Sequence, residues 1–169
     1  MNVYFARQPI LDEHLNLFGY ELLFRPNPQV NSSGQHIVAN GSSATSAILN
    51  ALEWSGMEKV TGGTQAFVNF TEPLLLAGFP THYPSQHLVV EVLETVRIHP
   101  GVLAAIHKLK EKGYTIALDD YQYHPNDQYL LSLCDIVKVE VDGSAKSFQN
   151  LRRVVQAVNL QQCRVLAER

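Results

Sequence analysis

Two adjacent carboxylates, Asp119 and Asp120, close the apolar run Thr115 to Leu118 in the stretch TIALDDYQYHPND. Burying one carboxylate without a partner is costly, and a like charge beside it adds repulsion. Two explanations stand: the run ends at water, or a cation sits on the pair. The same juxtaposition recurs along the chain. GYELLF carries Glu21, FVNF carries Asn69, VVEVL carries Glu91, IVKVEV carries Lys138 and Glu140, and VLAE carries Glu168. Each polar residue falls in the middle or C-terminal half of a segment otherwise fit for a core. Taken singly, such a residue is a strand end reaching water or a paired internal charge. Their recurrence at the same relative place points to a shared site.

The ligand types set the chemistry of that site. Carboxylates and one amide, without His or Cys, form a hard oxygen shell suited to Mg²⁺, Mn²⁺ or Ca²⁺ rather than zinc. Asp119 and Asp120 together can bridge two ions. Two such metals about 3.5–4 Å apart activate a water and stabilise an in-line phosphoryl displacement. Lys138 among the acids either holds the attacking water or a phosphate oxygen, or forms an internal salt bridge. Arg25, ending ELLFR, has the planar fork that grips phosphate in bidentate fashion.

Residues so spaced need a scaffold that brings strand ends together. Hydrophobic periodicity makes strands of residues 3–11 and 17–24, joined by the polar turn Asp12 to Asn16. Pro26 to Gly41 reads as a long loop, either a surface excursion or a lid. Ser42 or Ser43 then caps a helix that Gly56 stops. Strands follow at 65–71, 87–94, 115–121, 135–141 and 164–168, with helical or irregular connections. In HPGVLAAIHKLKEKG, Pro100 suits the first turn and Val102, Leu103, Ile106 and Leu109 form one apolar stripe; lysines load the last turn and Gly113 ends it. SFQNLRRVVQAVNL repeats the pattern with Leu151, Val154, Val155 and Val158. Strand–helix alternation with near-continuous apolar strands indicates a parallel sheet covered by helices. In a parallel barrel the C-terminal strand ends meet at one mouth, where active sites sit. About seven strands point to a barrel, cut short against the roughly 250 residues of a complete eight-stranded one.

Composition narrows the partners. The 169 residues are 46% hydrophobic and 17% charged, with net charge −3, which offers no electrostatic case for a nucleic-acid polymer or an anionic membrane. No run approaches the length of a membrane span, and MNVYFARQPI lacks the layout of a secretory signal. Cys134 and Cys163 lie in apolar contexts without metal-like spacing, as expected of a reduced, cytoplasmic protein. The histidines show no paired spacing, so zinc is not expected.

These residues resemble a bacterial family, the EAL domains of cyclic di-GMP signalling, and in particular the EAL half of EAL–HDOD proteins. The resemblance covers nearly the whole chain. RQPILD matches the family's opening Gln-Pro-Ile segment, and GYELLFR stands where the name-giving Glu-Ala-Leu occurs, with Leu22 replacing Ala. FVNFT, VVEVLET, IALDDY, VKVE and LAE follow in family order. The resemblance implies a TIM-type α/β barrel with one antiparallel strand that hydrolyses cyclic di-GMP to the linear dinucleotide with Mg²⁺ or Mn²⁺. It implies metal ligation by Glu21, Asn69, Glu91, Asp119 and Asp120. Lys138 would position water, and Glu168 would act at the metal-bound water. Gln8 and Arg25 would touch the dinucleotide. Glu140, where the family's Lys-Ile-Asp motif has the shorter Asp, joins that binding set. Glu94 matches a glutamate that steadies the loop after the aspartate pair.

The departures bear on activity. Active members continue the aspartate pair into Phe-Gly-Thr-Gly, whereas this chain reads YQYHPND, without glycine. After Glu168 the family has Gly-Val-Glu, whereas this chain has Arg169 and stops. The expectation is one EAL-like domain over residues 1–169, incomplete at its C-terminus. Its open sheet edge invites a homodimer, and an HDOD-type domain is expected in the full-length protein. Three functions follow: a degenerate regulatory or interaction module, an active phosphodiesterase, or an unrelated metal-binding barrel. Positioning governs two-metal catalysis, and a misplacement of about 1 Å costs roughly a hundredfold. The rebuilt loop therefore favours the degenerate module.

Overall fold

The computed structural model describes residues 4–25, 41–158 and 163–168. The expected loop before Gly41 lies outside them. Seven strands form one sheet in sequence order: β1 (Tyr4–Leu11), β2 (Leu17–Arg25), β3 (Gln65–Phe70), β4 (Leu88–Val92), β5 (Thr115–Leu118), β6 (Ile136–Glu140) and β7 (Arg164–Glu168). β1 pairs antiparallel to β2, and every later pair is parallel. Helices α1 (Gly41–Ser55), α2 (Met57–Thr61), α3 (Glu72–Leu76), α4 (Pro100–Glu111), α5 (Gln128–Leu133) and α6 (Ala145–Val158) fill the connections. The sheet curls into a half-barrel. Adjacent strands lie about 4.8 Å apart, so a flat sheet would hold β2 and β6 far apart, yet Lys138 of β6 reaches Glu21 of β2 at 3.2 Å. The expected α/β barrel with one antiparallel strand is the observed architecture.

Strand alternation sorts side chains into two layers. Val68, Phe70, Val90, Val92, Ile116, Leu118, Val137 and Val139 face outward into the main core under the helices. Phe67, Val89, Ala117 and Ile136 face inward and pack with Ile10, Phe18 and Leu166 on the concave side. The next inward position along each strand is polar: Asn69, Glu91, Asp119, Lys138 and Glu168. An apolar floor thus lies beneath a polar layer nearer the C-terminal strand ends.

Several elements match the sequence reading and several do not. In α4, Pro100 occupies the first turn, Val102, Ile106 and Leu109 are buried, and Gly113 follows the end at φ 80°. Ser42 and Ser43 lie within α1 rather than capping it, and the Ser42 hydroxyl lies 2.7 Å from Thr71 Oγ1, just past the end of β3. β5 stops at Leu118 rather than Tyr121, because Asp120 takes a left-handed backbone at φ 41° that ends the extended run. In α6, Val154 and Val158 are buried but Val155 is exposed, so the apolar stripe is narrower than expected. No described helix is long and apolar enough to cross a membrane.

Candidate metal and phosphate centre

Lys138 stands at the centre of the polar layer with its side chain almost entirely buried. Its Nζ lies 2.7 Å from Asp119 Oδ1, 3.0 Å from Glu91 Oε1, 3.0 Å from Glu168 Oε2 and 3.2 Å from Glu21 Oε2. These four acids come from β4, β7, β2 and the end of β5. An ammonium has three N–H donors, so it cannot serve four carboxylates fully. Glu91 is left short: it is fully buried, and neither of its oxygens receives a well-directed hydrogen bond. Asn69 Nδ2 donates to Glu21 Oε1 at 3.5 Å, while Asn69 Oδ1 is buried without a partner.

Electrostatics follow from the crowding. Burial pushes the Glu91 carboxyl up to about 8, outweighing the Lys138 charge beside it, and Glu21 and Asp119 add repulsion. Burial likewise raises Glu168 to about 7 against the pull of Lys138. Burial alone would lower the Lys138 ammonium, but the charges of Glu91, Asp119 and Glu21 reverse this and hold it above its ordinary range. With every acid ionised, Glu21, Glu91, Asp119, Asp120 and Glu168 outnumber the one lysine by four charges.

That excess has the chemistry of a divalent cation site. Carboxylate oxygens of Asp119, Asp120 and Glu168 come within 4.8 Å of one another, on the more exposed side of the cluster. The unpartnered Asn69 Oδ1 and Glu91 oxygens are further hard donors on its buried side. The donor set therefore fits Mg²⁺, Mn²⁺ or Ca²⁺. Gln8, Arg25 and Glu140 are exposed. Gln8 sits opposite Glu21 in the register of β1 and β2, and Glu140 sits opposite Glu168. Arg25 ends β2 on the same alternating face as Glu21. Among the described residues, no hydrogen bond or ion pair joins any of the three to the lysine cluster.

The backbone around these groups shows what sequence reasoning missed. A Cβ on Gly19 would lie 2.7 Å from Gln65 O and 2.9 Å from Phe67 Cε2. The bare Gly19 therefore lets the floor aromatic pack beneath Glu21, a role a glycine inside a strand signals. Thr45 of α1 is buried and its hydroxyl donates to the Asn69 carbonyl at 2.6 Å, tying α1 to the end of β3. Glu94, expected to steady the loop after the aspartates, is exposed and forms no hydrogen bond or ion pair among the described residues. That loop is instead held by Asn150, Tyr121 and Asp127: Asn150 bonds the backbone of Tyr121 and Tyr123, and the Tyr121 hydroxyl donates to Asp127 Oδ2 at 3.0 Å. Both cysteines are poor nucleophiles, since burial raises the Cys134 thiol and pushes Cys163 up to about 12.

Among solved structures, the Bacillus subtilis YkuI protein, with an EAL domain, in complex with substrate c-di-GMP and calcium, matches 98% of this chain and 47% of its own length at a TM-score of 0.71 and 15% identity. The chain has the EAL-domain fold. Two curated proteins share sequence with it as well. The uncharacterized protein YuxH of Bacillus subtilis is 38% identical over 146 residues, which is 83% of this chain and 35% of YuxH. The cyclic di-GMP phosphodiesterase CdgJ of Vibrio cholerae is 32% identical over 138 residues, which is 82% of this chain and 32% of CdgJ. The chain thus spans about a third of the length of the curated relatives it matches. No family model matches it. In this half-barrel Glu21, Glu91, Asp119 and Glu168 meet at one rim, which accounts for their repeated position in the sequence.

Proposed function

We propose that this chain is a cyclic di-GMP-binding module of the EAL type that uses a divalent cation, Mg²⁺ or Mn²⁺, and hydrolyses the nucleotide weakly or not at all. The observation that carries the reading is the convergence of Glu21, Glu91, Asp119 and Glu168 on one lysine, with Asn69 beside Glu21 and Asp120 beside Asp119 and Glu168. The excess negative charge and the orphaned oxygens of Glu91 and Asn69 call for a cation. Glu21, Asn69, Glu91 and Asp119 would hold it on the buried side, and Asp119 and Asp120 on the open side. A bound divalent ion supplies Lewis-acid polarisation of a phosphoryl oxygen and lowers the pKa of a water.

The residues of this chain do the positioning. A bound cation would take over some of the acids that now share the three donors of Lys138 Nζ, leaving a donor for a water or a phosphate oxygen. Glu168, grouped with Asp119 and Asp120, would act on that water. Arg25 and Gln8 orient the dinucleotide from the rim, with Glu140 beside them. The glycine-free loop after Asp120 is the reason for weak turnover, since two-metal chemistry is sensitive to small misplacements.

An active phosphodiesterase is the second reading, favoured by the grouping of Asp119, Asp120 and Glu168 despite the altered loop. Product chromatography with excess Mn²⁺ separates the two. Negligible linear dinucleotide supports the binding module; turnover abolished by Glu21→Ala establishes the enzyme. An HDOD-type domain beyond this segment and a homodimer complete the proposed setting, a cytoplasmic signalling protein.

A further inference from the structure

We propose that Asn150 of α6 is a positioning residue for Asp120, setting the open side of the cation centre from outside it. The inference rests on the reading that Asp119 and Asp120 hold a cation. Asp119 N–H still donates to the Val92 carbonyl of β4 at 3.0 Å, and Tyr121 N–H donates to the Lys138 carbonyl of β6 at 2.9 Å. Asp120 lies between these two anchors in a left-handed backbone at φ 41°. A non-glycine residue keeps that conformation only where its surroundings over-determine it. Beyond Tyr121 the sheet offers no further pairing, and α6 supplies it: Asn150 Nδ2 donates to the Tyr121 carbonyl and Asn150 Oδ1 accepts from the Tyr123 N–H, each at 2.9 Å.

One side chain thus closes both ends of the turn that leaves Asp120. Packing against α6 is interrupted beside it. A surface groove of about 380 Å³, lined by Tyr123, His124, Arg153 and Gln156 among others, opens between the next part of the loop and the helix. The Asn150 amide holds the first part of the loop, Tyr121 to Tyr123, to α6 ahead of that groove.

The test compares the whole chain with Asn150→Ala, Asn150→Asp and a control, Gln149→Ala on the neighbouring exposed position. Mn²⁺ alone is titrated and the free-ion paramagnetic signal followed, alongside amide exchange of residues 119–125 without metal. Asn150→Ala is expected to bind Mn²⁺ about tenfold more weakly and to lose protection at Tyr123. Asn150→Asp keeps the acceptor for the Tyr123 N–H but not the donor to Tyr121, so it retains that protection and binds with intermediate affinity. Gln149→Ala matches the parent. Unchanged Mn²⁺ affinity in Asn150→Ala overturns the positioning role and leaves the cation reading standing. If that variant does not fold, unchanged affinity in Asn150→Asp, or rapid Tyr123 exchange in the parent chain, overturns it. No Mn²⁺ binding by the parent chain overturns the cation reading, and this inference with it.

Discussion

Replacing Lys138 with methionine isolates the electrostatics of the centre, because the stem is retained and only the charge is lost. Nζ is the counter-charge for four acids within 3.2 Å, and both Lys138 and Glu91 are buried away from solvent screening. Burial favours the protonated form of Glu91, against the pull of the Lys138 charge. To restore the net charge, a further acid of the group must take up a proton. For a carboxyl with an ordinary pKa of about 4.3, this costs about 1.4 kcal/mol per pH unit, hence about 3.7 kcal/mol at pH 7 and about 1 kcal/mol at pH 5. The pH 7 figure agrees with the roughly 3–5 kcal/mol lost when a buried ion pair is broken. Urea unfolding of Lys138→Met without metal, at both pH values, is the assay. A destabilisation shrinking by about 2–3 kcal/mol between pH 7 and pH 5 is expected. Equal loss at both pH values, or none, refutes the counter-ion argument.

Glu91 and Glu168, with carboxyls raised to about 8 and about 7, favour the protonated form in the folded state. Their contribution to stability is complete below the ordinary carboxyl value and lost as pH rises through about 7 to 8, because the folded chain binds more protons than the unfolded one across that window. Metal-free denaturation midpoints should therefore fall over this range. Stabilisation by Mn²⁺ should grow over the same range, since the ion displaces those protons; proton release measured in buffers of different ionisation enthalpy checks it. Gly19→Ala forces a methyl against Gln65 O and the Phe67 ring. It should cost about 1–3 kcal/mol by overpacking and weaken Mn²⁺ binding through Glu21, whereas wild-type stability in thermal melts would show that the floor yields.

The acids of the site were legible because each violated the pattern of its own strand. Glu21, Glu91 and Lys138 interrupt segments whose other residues belong in a core, and burying a charge demands a partner. The alternation that places Phe67, Val89, Ala117 and Ile136 two residues before the polar set was equally available, since strand period is a local property. What escaped depends on contacts distant in sequence. Asn150 reads as one polar residue on an amphipathic helix until the fold brings it to Tyr121, 29 positions earlier. The end of β5 depends on the left-handed Asp120, to which the residue types alone do not point. Val155 was misplaced because the apolar spacing of α6 permits a wider stripe than the sheet beneath it covers.

Calorimetric titration of the chain with cyclic di-GMP, with Mn²⁺ and then with a chelator, tests most directly whether the rim acids form a cation-assisted nucleotide site. Binding in Mn²⁺ that weakens about tenfold or more with chelator is the predicted result. Heats that are absent in both conditions, or an affinity indifferent to the metal, would contradict it.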